Sequence, residues 1–337
     1  MTIPGRKSMF PVLASLLSLA IAGNAGAQVS ADAPYPTPGK PVRIVAPYTP
    51  GSSLDRTSRH FAEKLSGLWK SPVVVENRPG AGGVTGAEFV AKSAPDGYTV
   101  MMGNSSLTIA TDQMDVPPFD IVRDFSAVSL TAWVPYLLVV RQDSALKNLA
   151  DYVAAGKRPN QAVSYGTPGE RTVLHILGEV LKRSAGINMA MIAYKGESPA
   201  MTDLLGGHID SSFASVSLAR PLIEGGRVRA VGVTSPVRSK ILPDVPTFPE
   251  QGYPRLDAVP WLGMMMPAKT PASIVNRLSA DINRLVLQAD TIKAMAEIGQ
   301  EAAGMLPEQF SQFVRSERIK WKELVEFAQM PGGSKPK

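Results

Sequence analysis

The sequence contains no cysteine and only three histidines, His60, His175 and His208. Without cysteine, the chain has no disulfide framework, no thiolate nucleophile and no residue to carry a lipoprotein anchor. The histidines do not fall at paired helical spacing and no His-Glu-x-x-His motif is present, so a metal site is not expected. Stability must therefore come from the burial of apolar side chains.

The motifs of common nucleotide and hydrolase sites are also missing. The segment 78–86 is rich in glycine, but Thr85 stands where a dinucleotide-binding fingerprint needs its third glycine. Ser105 does not lie in a G-x-S-x-G nucleophile elbow, and no Walker A loop is present. We therefore expect no cofactor.

The charge balance is modest, with 35 basic and 29 acidic residues and a formal net charge of +6. The basic residues are scattered rather than clustered, and aromatic residues are not interleaved among them. This distribution argues against nucleic acid as a partner. A small positive excess instead favours the capture of anionic solutes.

The first residues have the pattern of an export signal. Arg6 and Lys7 form a short positive region, and the apolar run 10–23 is too short to span a bilayer. The small residues before Gln28 fit a cleavage site, so we expect residues 1–27 to be removed after Ala27 and the mature chain to be periplasmic. An uncleaved membrane anchor is the alternative. No later segment has the roughly 18 consecutive apolar residues of a membrane helix.

Strands alternate with helices along the rest of the chain, which predicts an α/β fold with mostly parallel sheets flanked by helices. We expect two domains with a cleft between them: a discontinuous first domain, 28–130 and 254–337, and a second domain, 131–253. Thr270 and Pro271 predict a helix that Thr270 caps, with Pro271 at its first position. The stretch 103–106 is expected to be a polar loop. Further predicted elements include strands at 42–46 and 189–193 and helices at 54–67 and 307–328.

Two distant stretches, 42–55 and 162–175, share one order: an apolar strand, a Gly/Pro turn and the start of an amphipathic helix. The first backbone N–H groups of a helix have no intrahelical partner and favour a bound anion. Ser52 or Ser53 is the expected cap of the first helix, and Thr167 of the second. Since ligands of open α/β sheets bind at strand ends, we expect the two turns to hold one small carboxylate between them.

Several stretches in order resemble the Bug family, the extracytoplasmic solute receptors of tripartite tricarboxylate transporters. The resemblance covers about residues 40–329. It implies a two-domain periplasmic binding protein, type II-like, which closes on a carboxylate held by backbone N–H groups and passes it to membrane subunits. The stretches are KPVRIVAPYTPG (40–51), PVVVENRPGAGGVTGAEFVAKSAPDGYTV (72–100), SYGTPG (164–169), YKGESPAMTDLLGGHID (194–210), LPDVPTFPEQGYP (242–254) and WLGMMMPAKTP (261–271).

The candidate ligand-binding residues fall into three groups. Arg171 occupies a position where the family often has glycine, and we hypothesise that it contacts a second acidic group of the ligand. A solvent-facing arginine is the alternative. The first turn supplies Tyr48, Gly51, Ser52, Ser53 and Asp55; the second supplies Tyr165, Gly166, Thr167, Gly169, Arg171 and Thr172; Asn104, Ser105, Ser106 and Asp210 are expected to line the walls.

The leading interpretation is a monomeric receptor for a small organic acid, without chemistry of its own. An exported hydrolase or isomerase with Asp55 or His175 as base is the first alternative, although His175 is more simply a packed or capping residue. A sensor accessory that presents the acid to a membrane receptor kinase is the second. The sequence does not name the ligand: mono-, di- and tricarboxylates, amino acids, aromatic acids and amides all stay open.

Overall fold

A computed structural model of the chain describes residues 1–2, 35–112, 114–170 and 172–329. The predicted export signal and its cleavage after Ala27 fall almost entirely outside these residues, as does Arg171. In the described ranges, no helix combines the length and the apolar character that crossing a membrane requires.

The described residues form eleven strands and ten α-helices, which alternate over most of the chain. The strands are β1 (Val42–Ala46), β2 (Val73–Asn77), β3 (Thr99–Asn104), β4 (Phe125–Trp133), β5 (Tyr136–Arg141), β6 (Val163–Thr167), β7 (Met189–Ala193), β8 (Ser211–Ser215), β9 (Val228–Val233), β10 (Trp261–Pro267) and β11 (Glu301–Ala302). The helices are α1 (Ser53–Trp69), α2 (Val84–Ala91), α3 (Ser105–Asp112), α4 (Leu149–Gly156), α5 (Val173–Ala185), α6 (Glu197–Gly206), α7 (Val216–Glu224), α8 (Ala272–Leu285), α9 (Ala289–Glu297) and α10 (Pro307–Ala328).

The strands form two sheets, of order β11-β4-β10-β3-β1-β2 and β7-β6-β8-β5-β9. We call the first sheet with its helices lobe 1 and the second lobe 2. Both sheets are mixed: most strands of each sheet run in one direction, but β10 runs antiparallel to β3 and β4, and β5 runs antiparallel to β8 and β9. The prediction of an α/β fold with sheets flanked by helices is confirmed, and the strand by which the chain enters each sheet from the other lobe, β10 or β5, runs against its parallel strands.

Apolar layers cover both faces of each sheet. In β1, Ile44 packs into one layer of lobe 1 and Val45 into the other, as the alternation of side chains along a strand requires. In lobe 2, Leu138 of β5 packs into one layer and Leu137 into the other. These layers fix the ends of the parallel strands, where the candidate turns lie.

Helix α10 packs on both lobes. Phe310 and Val314 in its first half belong to a core layer of lobe 1, whereas Trp321 and Leu324 in its second half belong to a core layer of lobe 2. The sequence predicts this helix to belong to the first domain alone, whereas its buried face contacts both lobes. A 22-residue helix is about 33 Å long, enough to reach from one lobe to the other.

Several predicted elements match the structure, among them β1, β7 and α10. Two local predictions were wrong. The stretch 103–106 is not a loop, because β3 continues to Asn104 and α3 begins at Ser105. Pro271 is the N-cap of α8 rather than its first residue, and the Thr270 hydroxyl donates to the carbonyl of Pro267 (2.7 Å) instead of capping the helix.

Candidate functional site

The first turn joins β1 to α1. Ser52 is the N-cap of α1, and its Oγ accepts a hydrogen bond from the backbone N–H of Asp55 at 3.2 Å. Ser53 is therefore the first helical residue rather than the cap. By helix geometry, the N–H groups of Ser53 and Leu54 precede the first intrahelical hydrogen bond. The turn thus presents two donors at the positive end of a helix.

The carboxylate of Asp55 fixes the conformation of this turn by hydrogen bonds. Its Oδ2 accepts hydrogen bonds from the Gly51 N–H (2.9 Å) and the Arg59 Nε (3.0 Å), and its Oδ1 accepts one from Asn77 Nδ2 (2.8 Å). Burial alone would raise the pKa of Asp55, but the hydrogen bonds from Arg59, Gly51 and Asn77 and the Arg59 charge outweigh it and lower the pKa. Gly51 has a φ of +83°, which favours glycine at this bend. Asp55 is thus a positioning residue for the turn.

A third helix start lies beside the first turn, at the junction of β3 and α3. The Asn104 side-chain oxygen accepts a hydrogen bond from the Leu107 N–H (3.3 Å), as an N-cap does. The Tyr48 hydroxyl donates to the carbonyl of Gly82 (2.9 Å). Burial raises the pKa of Tyr48, and hydrogen bonds with Asn104 and Ser106 oppose that shift, which places the three side chains together.

The second turn joins β6 to α5 in lobe 2. Thr172 is the N-cap of α5: its Oγ1 accepts a hydrogen bond from the His175 N–H (3.3 Å) and donates to the carbonyl of Gly169 (2.9 Å). Thr167, the predicted cap, instead ends β6, and its Oγ1 accepts a hydrogen bond from the Gly169 N–H (3.3 Å). Gly169 has a φ of +142°, so the turn requires glycine. The prediction chose the wrong threonine because the turn is longer than the sequence suggested.

Three residues predicted for the site have close contacts within lobe 2. Tyr165 is fully buried, and its hydroxyl donates to Glu179 Oε1 (2.9 Å). Gly166 packs so tightly that a Cβ there would lie 2.8 Å from Ile209. Asp210 precedes β8 and accepts hydrogen bonds from the Ser164 N–H and hydroxyl (2.8 and 2.7 Å). That pairing places Asp210 near the amino ends of parallel strands, opposite the edge where the turn begins.

His175 lies in the first turn of α5 and is largely buried. Burial lowers its pKa, while the charges of Glu179 and Glu170 oppose that shift. Its backbone N–H is the group that the Thr172 side chain caps. This position agrees with the expectation of a packed residue in the helix start.

A cavity of about 180 Å³ joins the first turn, the start of α3 and the start of α5. It collects most of the predicted residues of lobe 1 and Val173, the residue after the cap of α5. Of the described residues that line it, none carries a charged side chain. Nor does any group of three or more His, Asp or Glu residues in the described chain form a candidate metal site. The lining comprises Tyr48, Ser52, Ser53, Leu54, Asn104, Ser105, Ser106, Val134, Tyr136, Val173, Pro260, Trp261 and Leu262.

The sequence did not single out the segments that cross between the lobes. Val134, Tyr136 and Pro260 line the cavity from these crossings. Their signal was available, because each predicted domain boundary lies close to a crossing segment, and crossing segments border a cleft between lobes.

Glu197 was missed as well. Its Oε2 accepts a hydrogen bond from the Ser215 N–H (2.7 Å) at the carboxyl end of β8. Burial raises the pKa of Glu197, and hydrogen bonds from Ser215 oppose that shift. Ser215 pairs with Tyr136 across the sheet, so this carboxyl lies close to the cavity lining.

Comparison with known proteins places this geometry in a family. Residues 57–330 match the model of the tripartite tricarboxylate transporter family receptor. Protein BugT of Bordetella pertussis is 34% identical over 309 residues, covering 91% of this chain and 94% of BugT. A Rhodopseudomonas palustris protein solved with adipate has a TM-score of 0.74 at 28% identity, covering 88% of this chain and 99% of that one. MatC from the same species, solved with bound malate, has a TM-score of 0.68 at 27% identity, covering 84% and 98%. The chain belongs to the tripartite tricarboxylate transporter receptor family, with the fold of a two-lobed α/β periplasmic binding protein.

Proposed function

We propose that this chain captures a small carboxylate in the cleft cavity and delivers it to the membrane subunits of a tripartite tricarboxylate transporter. It acts in the periplasm as a monomer, after removal of its leader at Ala27. One observation carries the proposal: three helix N-termini meet at a cavity whose described lining has no charged side chain. An anion there would be held by N–H groups and hydroxyls rather than by an ion pair.

The energetics require direct hydrogen bonds in addition to the helix dipoles. Charge effects at a helix terminus contribute roughly 0.3–1 kcal/mol each, up to about 2 when partly buried. Micromolar affinity corresponds to about 8 kcal/mol, so three termini alone fall short. Hydrogen bonds to a charged acceptor add about 1.5–3 kcal/mol each. The N–H groups of Ser53, Leu54 and Val173 are the proposed donors.

The cavity favours a small ligand. Its volume of about 180 Å³ is that of about six waters at roughly 30 Å³ each, and lies below the roughly 300 Å³ at which typical small-molecule pockets begin. Adipate and malate, found with the two Rhodopseudomonas palustris relatives, are acids of this scale.

We also propose that the bound acid is not chemically changed. Both oxygens of Asp55 are engaged by the turn, and the His175 side chain is largely buried, so neither candidate base faces a ligand freely. An exported enzyme or a sensor accessory would need the same cavity. Mass spectrometry of ligand incubated with the protein distinguishes an enzyme from a receptor, because turnover would yield a product of new mass. Cross-linking in cells identifies the membrane partner and separates transport from sensing.

Closure of the lobes on the ligand is the expected working motion, because Ser53 and Val173 wall one cavity from different lobes. A ligand that contacts both lobes binds the closed state better and shifts the population toward it. Small-angle scattering at saturating ligand should show a smaller radius of gyration. An unchanged radius would contradict closure.

Substitution with proline at the first helical position tests the N–H contacts directly. Ser53→Pro removes one N–H group from α1 at a position where proline is well tolerated, and Ser52 already has the extended backbone that a residue before proline needs. Ser53→Ala removes only the hydroxyl. Ala289→Pro makes the same change at the exposed start of α9, away from the cavity. Affinity is measured by calorimetry with adipate, malate, succinate and citrate, and with adipamide as a neutral control.

We expect at least one of the acids to bind and adipamide to bind more weakly. Ser53→Pro should weaken the acid at least about tenfold beyond Ser53→Ala, which is the effect of losing one hydrogen bond to a charged group. Ala289→Pro should bind like the natural chain. Equal affinity of the Ser53→Pro and Ser53→Ala variants would show that the acid does not use this helix terminus.

A further inference from the structure

A second cavity, of about 300 Å³, lies between α10 and the segments that cross between the lobes. It is separate from the cleft. Trp133 and Pro135 line this cavity, whereas Val134 and Tyr136 line the cleft. Likewise, Val259 lines the second cavity and Pro260 lines the cleft. Successive side chains of an extended segment point to opposite faces, so the crossing segments separate the two cavities.

The walls of this second cavity, which we call the back cavity, are largely apolar. Trp133 and Phe313 form an edge-to-face pair with ring centroids 5.3 Å apart. Val259 is buried, whereas Val237 at the edge of the lining is 71% exposed. Flat, rigid walls of this kind match an aromatic or aliphatic body.

The charged groups of the back cavity are unbalanced. Its described lining holds three carboxyl groups, those of Asp257, Glu301 and Glu317, and one cation, Lys320. Lys320 Nζ lies 3.6 Å from Asp257 and 3.8 Å from Glu317, so one ammonium group serves two carboxyls. A second cation at this place would be attracted by the remaining negative charge.

Two of the polar groups are buried, which strengthens the case for a ligand. Glu317 is 5% exposed, and its Oε2 accepts a hydrogen bond from Trp321 Nε1 at 3.0 Å. Burial raises the pKa of Glu317, while the Lys320 charge and the Trp321 hydrogen bond oppose that shift. The Ser235 hydroxyl, in a lining residue only 8% exposed, makes no hydrogen bond with any described residue. Buried polar atoms normally have a partner, and this hydroxyl in the cavity wall lacks one among the described residues.

We propose that the back cavity is a second ligand site, for a small organic cation with an aromatic or aliphatic body. Its ammonium group binds beside Glu317 and Asp257, and its body packs on Trp133 and Phe313. The site is independent of carboxylate capture in the cleft.

Benzylammonium is the probe, and benzyl alcohol is its neutral counterpart. Glu317→Gln removes the charge but keeps an oxygen for Trp321, and Glu308→Gln is the matched control at an exposed position of the same helix. Val237→Trp narrows the cavity from an exposed position, and Ile319→Trp is its control, since Ile319 is 61% exposed and is not part of the lining. Binding to the full chain is measured by calorimetry.

We expect benzylammonium to bind with a dissociation constant of about 1 mM or lower, and benzyl alcohol at least about tenfold more weakly. Glu317→Gln and Val237→Trp should each weaken the ammonium at least about tenfold, and both controls should leave it unchanged. Ser53→Pro in the cleft should change it by less than about twofold, because distant sites act independently. Absence of binding, equal binding of the alcohol, or unchanged binding by Val237→Trp would each overturn the proposal.

Discussion

The hydroxyl oxygen of Ser105 accepts a hydrogen bond from the backbone N–H of Trp261 at 2.9 Å, across 156 positions of the chain. Ser105 begins α3, and Trp261 begins the strand that returns to lobe 1 from lobe 2. Both residues are almost fully buried. The contact therefore fixes a helix start of the cavity relative to a crossing segment.

Loss of this contact should be costly. In Ser105→Ala, the buried N–H of Trp261 loses its acceptor, so the free energy of unfolding should fall by about 1–3 kcal/mol. Urea unfolding measures the change. Ser316→Ala, at an exposed position of α10, should stay within about 0.5 kcal/mol. An unchanged Ser105→Ala variant would mean that the contact contributes nothing to stability.

Asp55 should make stability depend on pH at the acid end. Its pKa is lower in the folded chain than the roughly 3.9 of an unfolded aspartate. The folded state therefore binds fewer protons, and the stabilisation is present above about pH 4 and lost as pH falls through the folded pKa. Asp55→Asn should be less stable than the natural chain at pH 7, and the difference should shrink toward pH 2. Exposed Asp115→Asn should show no such trend; a constant difference for Asp55→Asn would contradict this account.

Glu197 should make stability depend on pH in the direction opposite to Asp55. Burial raises its pKa in the folded chain, so the folded state binds more protons than the unfolded one, and stability falls as pH rises from about 4.3 through the folded pKa. Glu197→Gln keeps an acceptor for the Ser215 N–H without the charge. The variant should gain stability relative to the natural chain between pH 5 and pH 8, measured by urea unfolding. Exposed Glu297→Gln serves as the control; the same pH trend in both variants would exclude Glu197 as the source.

Two glycine-to-alanine changes in helices test the placement of Tyr165. A Cβ at Gly178 of α5 would collide with the Tyr165 ring, so Gly178→Ala should lower the free energy of unfolding by about 1–3 kcal/mol. A Cβ at Gly67 of α1 meets nothing within 4 Å, so Gly67→Ala should raise stability by about 0.5–1 kcal/mol. A tolerated Gly178→Ala would mean that the ring can leave the core.

The sequence predicted the elements with the clearest periodicity and the sharpest ends. β1 and α10 are framed by prolines, and their boundaries match. The prediction of a loop at 103–106 was wrong because a capping asparagine and two serines suit both a loop and the first turn of a helix. The wrong threonine was chosen as the cap of α5 because Thr167 and Thr172 have the same local preference, and only the path of the turn separates them.

The helix starts of the candidate site were predictable from the sequence, whereas the residues that lie between them were not. Strand–turn–helix order indicated Ser52, Ser53 and Thr172, because caps and turns follow local rules. The contacts of Tyr165 and Asp210 were not predictable, since the facing direction of a strand residue and the pairing partner of a strand end depend on the sheet. Glu197 and Tyr136 were missed because their proximity joins elements far apart in the chain.

The sequence by itself determined the alternation of strands and helices and the two strand–turn–helix segments, and its motifs showed the resemblance to the receptor family. The elements depend on periodicity, capping and turn chemistry, which act over a few residues, whereas the resemblance depends on several motifs in order. Tertiary structure alone decided that both sheets are mixed, that α10 packs on both lobes and that a third helix start joins the cavity. Those features follow from which distant strands pair and which apolar faces bury each other, and the free energy of such contacts has no local signature in the chain.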